Sequence, residues 1–344
     1  MKSLKLTVAA LIASAAFAGV AIARDQIQVA GSSTVLPYAK IVAETFGETF
    51  PDFKTPVVES GGTGAGLKEF CKGVGPDTID IANASRKIKD SELETCKAAG
   101  VTEVQEVKIG YDGIVFATDS GNADLKLVPK DLYLALAAEV VVDGKLVANP
   151  YKKWSEVNAE LPDVEIAAYI PGEKHGTREV FDEKMLAHGC KDAGASDMIK
   201  TLITDEKEAA AKCIAVRKDG LAIDIDGDYT ETLARIASNK NGIGVFGLSF
   251  YENNADKLKV ATVNGIVPST ETIASGEYPV SRPLFFYVKK AHLGVIPGLK
   301  EYVEFFLDDQ MIGPDSPLAA YGLVSAPDAE READRTAFTA GNML

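Results

Sequence analysis

Short apolar runs of strand length alternate with amphipathic stretches of helical period along nearly the whole chain, and this alternation confines it to the α/β architectures. "DQIQVA" at 25–30 reads as a strand. "PYAKIVAETFGETF" at 37–50 reads as a helix with Pro37 in its first turn and Tyr38, Ile41, Val42, Thr45, Phe46 and Phe50 on one face. "TPVVES" is the next strand, "GLKEFCKG" the next helix, and "TIDIANAS" a buried strand. "DSELETCKAAG" follows as a helix capped by Asp90 or Ser91 and stopped by Gly100, and "VTEVQEVKIGYDGIVFAT" as a long extended segment. Later come the strand "VEIAAYI", a helix opening after "HGTR", the helix "YTETLARIASN" closed by an Asn-Gly pair, then "GIGVFGLSFY" and "SRPLFFYVKK".

In open α/β sheets, ligands collect where the carboxyl ends of strands feed helix N-termini, whose first N–H groups lack intrahelical acceptors. Four loops fit that place. "AGSSTVLP" carries Ser33 and Thr34, "ESGGTGAGLK" carries Thr63 among glycines, "NASRKI" carries Ser85 and Arg86, and "PGEKHGTREV" carries His175, Gly176, Thr177 and Arg178. Singly, each is an ordinary capped helix start, since Ser, Thr and Gly are favoured there in any case. "GGTGAGLK" is not a Walker loop, because Leu67 separates Gly66 from Lys68. "DIDGDYTE" at 224–231 is calcium-like at first sight but lacks the glycine and terminal acid of such a loop, and reads as a solvated turn.

The chain's 344 residues are enough for two domains, and its 46% hydrophobic and 25% charged residues are those of a soluble globular protein. "MKSLKLTVAALIASAAFAGVAIA" runs from Lys2 and Lys5 through an apolar core to Ala21-Ile22-Ala23, a small-x-small cleavage pattern. Residues 1–23 are therefore expected to be a signal peptide, the mature chain to start near Arg24, and the protein to be exported. In that oxidising setting the four cysteines fall into two near pairs, Cys71 with Cys96 and Cys190 with Cys213. Two local disulfides are the simplest of three possible connectivities. With three histidines and no CxxC, neither a metal site nor a cofactor is expected. A net charge of −14 argues against nucleic acid and anionic membrane surfaces as partners. A small anion remains compatible with it, because short directed hydrogen bonds outweigh a distant screened field.

Taken together and in order, "GSSTVLPYAK", "GGTGAGLKEF", "DIANASRKI", "YDGIVF", "HGTREVF", "GIGVFGLSFY" and "YPVSRPLFFYVKK" resemble the phosphate-binding proteins of phosphate ABC transporters, over nearly the whole mature chain. The resemblance implies a two-lobed periplasmic clamp, each lobe a mixed central sheet flanked by helices. The first lobe would comprise residues 24–110 and 283–344 and the second residues 111–282. Two crossing segments, around 107–116 and 281–288, would form the hinge.

It also implies a phosphate site made of Ser33, Thr34, the Val35 N–H, Thr63, Ser85, Arg86, Asp112, His175, Gly176, Thr177 and Arg178. His175 departs from the family's usual serine, and Arg86 stands where one form of the family has aspartate. Asp112 is then either the nearest acid to accept the ligand's proton, which would separate phosphate from sulfate, or a hinge residue bonded to backbone. Arg282 and Tyr278 are expected to be hinge and strand-end structure. The implied partners are inorganic phosphate and the membrane permease of an ABC importer, with the protein acting as a monomer and not as an enzyme. Two rival readings are a secreted scavenging or adhesion protein on the same fold, and a secreted phosphoester hydrolase built on His175 and Thr177.

Overall fold

A computed structural model describes residues 24–344 except Lys174 and Asp228, so the expected signal peptide lies outside the described residues. Nine strands form one mixed sheet among the described residues: β1 (Gln28–Gly31), β2 (Val57–Ser60), β3 (Ile81–Ala84), β4 (Val104–Asp119), β5 (Ala168–Pro171), β6 (Ala222–Ile225), β7 (Ile243–Gly247), β8 (Leu258–Val260) and β9 (Ser281–Lys289). Their order is β2-β1-β3-β9-β4-β7-β5-β6, with β8 on the end of β4. The outer triplets β2-β1-β3 and β7-β5-β6 are parallel, and the central β3-β9-β4-β7 pairings are antiparallel. This is the α/β fold with mixed sheets and flanking helices that the sequence leads one to expect.

The two long strands hold the molecule together. β4 pairs with β9 from Gly113↔Ser281 down to Val104↔Lys289 and then changes partner, pairing through 114–117 with β7. The ladder shifts register between Leu284 and Phe285, opposite Gly110. Gly110 has φ +141, and a Cβ there would come 2.7 Å from the Val324 carbonyl oxygen, so only glycine fits this crossing. The apolar interior divides on either side. One cluster gathers Val29, Phe46, Ile81, Val107, Phe286 and Phe306, and another gathers Phe116, Leu132, Ile170, Phe181, Val245 and Tyr278.

Helix α1 (Leu36–Thr49) buries Tyr38, Val42 and Phe46 as the periodicity predicts, with Ile41 and Phe50 packed at the cluster's margin. Thr45 instead turns its hydroxyl back to the Ile41 carbonyl at 2.8 Å. Helix α2 (Thr63–Phe70) starts three residues before the expected 66, because Gly62 takes φ +83 and lets the chain turn directly into the helix.

Cys71 is bonded to Cys96 and Cys190 to Cys213, the local pairing expected from spacing. The first bridge ties the end of α2 to α3 (Asp90–Ala98), and so braces the helix that begins at Thr63. Its sequence separation of 25 residues predicts that Cys71→Ser with Cys96→Ser costs roughly 3 kcal/mol of stability through loop-closure entropy. Urea titration of the oxidised double variant beside the oxidised wild type measures it, and equal midpoints would mean that the chain without this bridge is no less constrained.

Candidate anion-binding site

The parallel strands of each triplet point their carboxyl ends toward the centre, and the four loops singled out from the sequence leave from those ends. The loop after β1 is closed by Ser32, whose buried Oγ accepts the N–H groups of Thr34 at 3.2 Å and Val35 at 3.3 Å. The Val35 N–H, expected to face the ligand, is thus engaged inside its own loop. Thr34 is left with its hydroxyl directed across the cleft. Opposite it begins α4 (Gly176–Phe181), and a Cβ on Gly176 would lie 2.6 Å from the Thr34 Cα, so the approach of the two loops depends on that glycine.

Between these loops lies Arg282 on β9, whose Cα partner on β4 is Asp112. Both side chains are buried. Arg282 Nη2 donates to Thr34 Oγ1 at 2.8 Å, to Glu179 Oε2 at 3.2 Å and toward the Gly176 carbonyl at 3.5 Å. Nη1 stands 3.6 Å from Glu183. Thr34 in turn donates to Glu179 Oε2 at 3.3 Å. Arg282 Nε is 3.7 Å from Asp112 Oδ2, too far for a hydrogen bond, and both atoms are buried without a hydrogen-bond partner. Burial pushes the Asp112 carboxyl above its usual range against the pull of Arg282, with Glu179 adding to the rise.

Arg282 is the residue that sequence reasoning undervalued: the hinge strand does carry it, but its guanidinium enters the cleft. The available signal was a charge at the edge of an apolar run in each crossing segment, Asp112 before "GIVFAT" and Arg282 before "PLFFYV", because a charge beside such a run survives burial only with a partner. Glu179 was missed for a different reason. It follows the "HGTR" motif by one residue, and an acid beside an expected anion site carries no pattern that marks it as a partner of Arg282.

The expected residues separate into two groups around this arginine. Ser33, Thr34, Asp112, His175, Gly176 and Thr177 line a cavity of 330 Å³. Thr63, Ser85 and Arg86 line a neighbouring one of 410 Å³, which Arg282 and Glu179 also border. Thr63 and Ser85 are joined hydroxyl to hydroxyl at 3.1 Å.

The two arginines expected to clamp the anion are both occupied by carboxylates. Arg178 is buried, donating from Nε to Asp182 at 2.7 Å and from Nη1 to Asp224 at 2.6 Å and to the Pro171 carbonyl at 3.2 Å. It fastens α4 to β5 and β6. Arg86 makes a two-pronged pair with Glu92, each bond 2.9 Å, and donates to the Lys87 carbonyl at 3.0 Å. His175 caps α4 with extended backbone, and its Nε2 lies 3.3 Å from the Asp226 carbonyl. Burial and the Asp112 carboxylate push the Tyr229 hydroxyl above its usual range, and the neighbouring Thr177 side chain and Gly247 N–H pull against that rise. Among the described residues no group of His, Cys, Asp and Glu could hold a metal ion, and no helix is long and apolar enough to cross a membrane.

This geometry has counterparts. A profile of the PBP superfamily domain matches residues 18–310. The phosphate-binding protein PstS of Staphylococcus epidermidis is 33% identical over 287 residues, spanning 81% of this chain and 74% of that one. The crystal structure of "a possible phosphate binding protein" from Planctomyces limnophilus superposes with a TM-score of 0.68 at 27% identity, covering 93% of this chain and 99% of that one. An ABC-type phosphate transport receptor from Vibrio cholerae shares the fold at a TM-score of 0.58 and 18% identity, covering 88% of this chain and all of that one (100%). On the matched span and on its identity to these relatives, the chain belongs to the PstS-like phosphate-binding proteins of the PBP superfamily.

Proposed function

We propose that this chain is the substrate-binding protein of an ABC importer. It acts outside the cytoplasm, in the periplasm, as a monomer that captures inorganic phosphate and delivers it to a membrane permease. The lobes of the clamp are residues 24–110 with 283–344, and residues 111–282. The observation that carries this reading is Arg282, a buried guanidinium on the crossing strand. It reaches Thr34 from one side and the Gly176 end of α4 from the other.

Phosphate offers four oxygens to directed donors. Arg282 supplies charge-assisted ones, Ser33, Thr34, Thr63 and Ser85 supply hydroxyls, and the first-turn N–H groups of Gly176 and Thr177 supply backbone donors. Asp112 Oδ2, buried and unpartnered, receives the ligand's proton. Sulfate carries no proton to give, so it would set two acceptors against each other. Arg86 and Arg178 act by ordering the loops that present these donors, and His175 by fixing the start of α4. The hydrolase alternative finds no support, since the His175 imidazole faces the Asp226 carbonyl and, among the described residues, no hydrogen bond joins it to the Thr177 hydroxyl, which leaves no base and nucleophile in register.

Titration calorimetry with phosphate and sulfate tests the proposal directly, and small-angle scattering tests the clamp. Phosphate is expected to bind, compact the protein and raise Tm with ligand excess over Kd. Asp112→Asn is expected to weaken phosphate and let sulfate compete, because an amide can donate to an unprotonated oxygen. Absence of any phosphate heat would refute the function. An unaltered phosphate-to-sulfate ratio in Asp112→Asn would remove Asp112 from the selectivity role.

A further inference from the structure

The C-terminal part of the chain, counted with the first lobe in the proposed clamp, does not stay inside it. Leu318 and Leu323 pack into the cluster of Val29, Phe46 and Phe286. Val324 and Ala326, both buried, pack instead into the cluster of Phe116, Phe181 and Val245 on the other side. The polypeptide passes from one core to the other between Leu323 and Val324. Just before that step, the short helix Pro317–Tyr321 lies against the helix Leu248–Glu252 that follows β7. The passage meets β4 where β4 itself crosses. Tyr111 and Val324 exchange both backbone hydrogen bonds, at 2.8 and 2.9 Å, in an antiparallel bridge. On its other edge Tyr111 stands opposite Pro283 of β9, which has no N–H to give, so its backbone is satisfied from the C-terminal segment. Gly110 is shaped to the same neighbour, since a Cβ there would press on both Leu323 and the Val324 carbonyl.

Polar ties fix this segment from behind. Ser325 Oγ donates to the Ile312 carbonyl at 2.6 Å, and buried Arg331 donates to the Ala326 carbonyl at 2.6 Å and to Asp309 at 2.8 Å. Arg331 belongs to α5 (Asp328–Thr339), and its neighbour Glu330 turns toward β4. Glu330 Oε2 accepts the Tyr111 hydroxyl at 2.7 Å and pairs with Lys108 Nζ. Glu330 lines neither cavity of the cleft, yet it grips β4 on both sides of Gly110 and one residue short of Asp112. All these ties are made with the two sides of the cleft in contact, Thr34 donating to Glu179 across it at 3.3 Å.

We infer that residues 323–326 form a third crossing of the clamp, and that Glu330 is a positioning residue for phosphate, holding Lys108 and Tyr111 so that the arrangement in which Thr34 meets α4 is favoured over the open one. A group that never touches the ligand alters its affinity only through the relative stability of the two arrangements. The effect on affinity rests on the phosphate reading of the cleft. The crossing itself rests on the packing of Val324 and Ala326 and on the bridge to Tyr111.

Calorimetry with inorganic phosphate and small-angle scattering, on the full protein and its variants, test it. Glu330→Ala and Tyr111→Phe are each expected to weaken phosphate about fivefold to tenfold, and Glu330→Gln, which keeps an acceptor for the Tyr111 hydroxyl, by less. Without ligand, Glu330→Ala and Tyr111→Phe should have a larger radius of gyration than the wild type, and under saturating phosphate all three should agree. Tyr111→Phe, which removes one oxygen, serves if Glu330→Ala fails to fold. A lowered Tm with affinity and ligand-free radius as in the wild type would mean that Glu330 only braces the fold, and would overturn the inference. Tighter phosphate binding in either variant would overturn it too, as would an expansion that persists under saturating phosphate. If the wild type binds no phosphate, the proposed function fails, and the ligand-free radii alone decide the third crossing.

Discussion

Arg282→Ala is expected to cost on the order of 3 to 5 kcal/mol of phosphate binding, a loss of roughly a hundredfold to several thousandfold. Arg282 is the one guanidinium that stands between Asp112, Glu179 and Glu183. Removing it deletes the charge-assisted donors and also leaves three carboxylates around an incoming anion. The fold should survive, because the buried Asp112 carboxyl, already raised, can take up a proton rather than stay charged. Arg282→Lys should recover part of the loss, since an ammonium keeps the charge and forfeits the fork. Arg178→Ala should behave differently, destabilising the protein through Asp182 and Asp224 with a smaller effect on affinity. Calorimetry beside circular dichroism separates the two. Unchanged affinity in a folded Arg282→Ala would place the anion elsewhere.

The second large effect lies at the other end of β3, away from the cleft. Asp80 is fully buried and accepts both Nη2 bonds of Arg24 at 2.5 Å, the Gln28 N–H at 2.8 Å and His292 Nδ1 at 2.6 Å. Nearby, Lys289 donates to Gly73 and Thr78, and burial brings its ammonium down to about 8. Asp80→Ala removes the acceptors of the Arg24 Nη2 group, of the Gln28 N–H and of His292 Nδ1 at once, while Arg24 keeps its bonds to the Gln26, Pro76 and Thr78 carbonyls. The expected loss is about 3 to 5 kcal/mol of stability, the cost of breaking a buried charge network from one side. Denaturant titration should show it, while phosphate affinity of the folded variant stays as in the wild type. A loss below about 1 kcal/mol, the range of exposed pairs, would mean that water enters and takes the place of the carboxylate.

How much could be read from the sequence follows from the range over which each feature is encoded. Strand and helix order, the face of α1 and the local cysteine pairs are carried by periodicity and spacing within a few tens of residues. The ligand loops are carried by Ser, Thr and Gly after strands, and four of them do converge on the cleft. The roles of the arginines are not local. Arg178 meets Asp224 from 46 positions away, and Arg282 meets Thr34 from 248. No sequence pattern distinguishes an arginine that will face a ligand from one that will be consumed by a carboxylate brought in by the fold. Arg86 is the instructive middle case. Its partner Glu92 lies six residues on, at the third position of α3, where it also accepts the Lys89 N–H at 2.8 Å. A helix-capping glutamate after an arginine was therefore a legible warning.

Glu179 gives the site a property beyond geometry. Its carboxylate already rests on Arg282 and Thr34, so the chain carries its own tethered competitor for the donors that phosphate needs. A tethered group acts at an effective concentration that no dilution lowers. Phosphate binding is then an exchange of one anion for another rather than the filling of a bare positive site. The arginine sheds a carboxylate as it gains a phosphoryl oxygen, and the net change in local charge is smaller than the ligand's own. Affinity should accordingly vary less with ionic strength than a lone arginine would give, because salt screens the released partner and the arriving one alike.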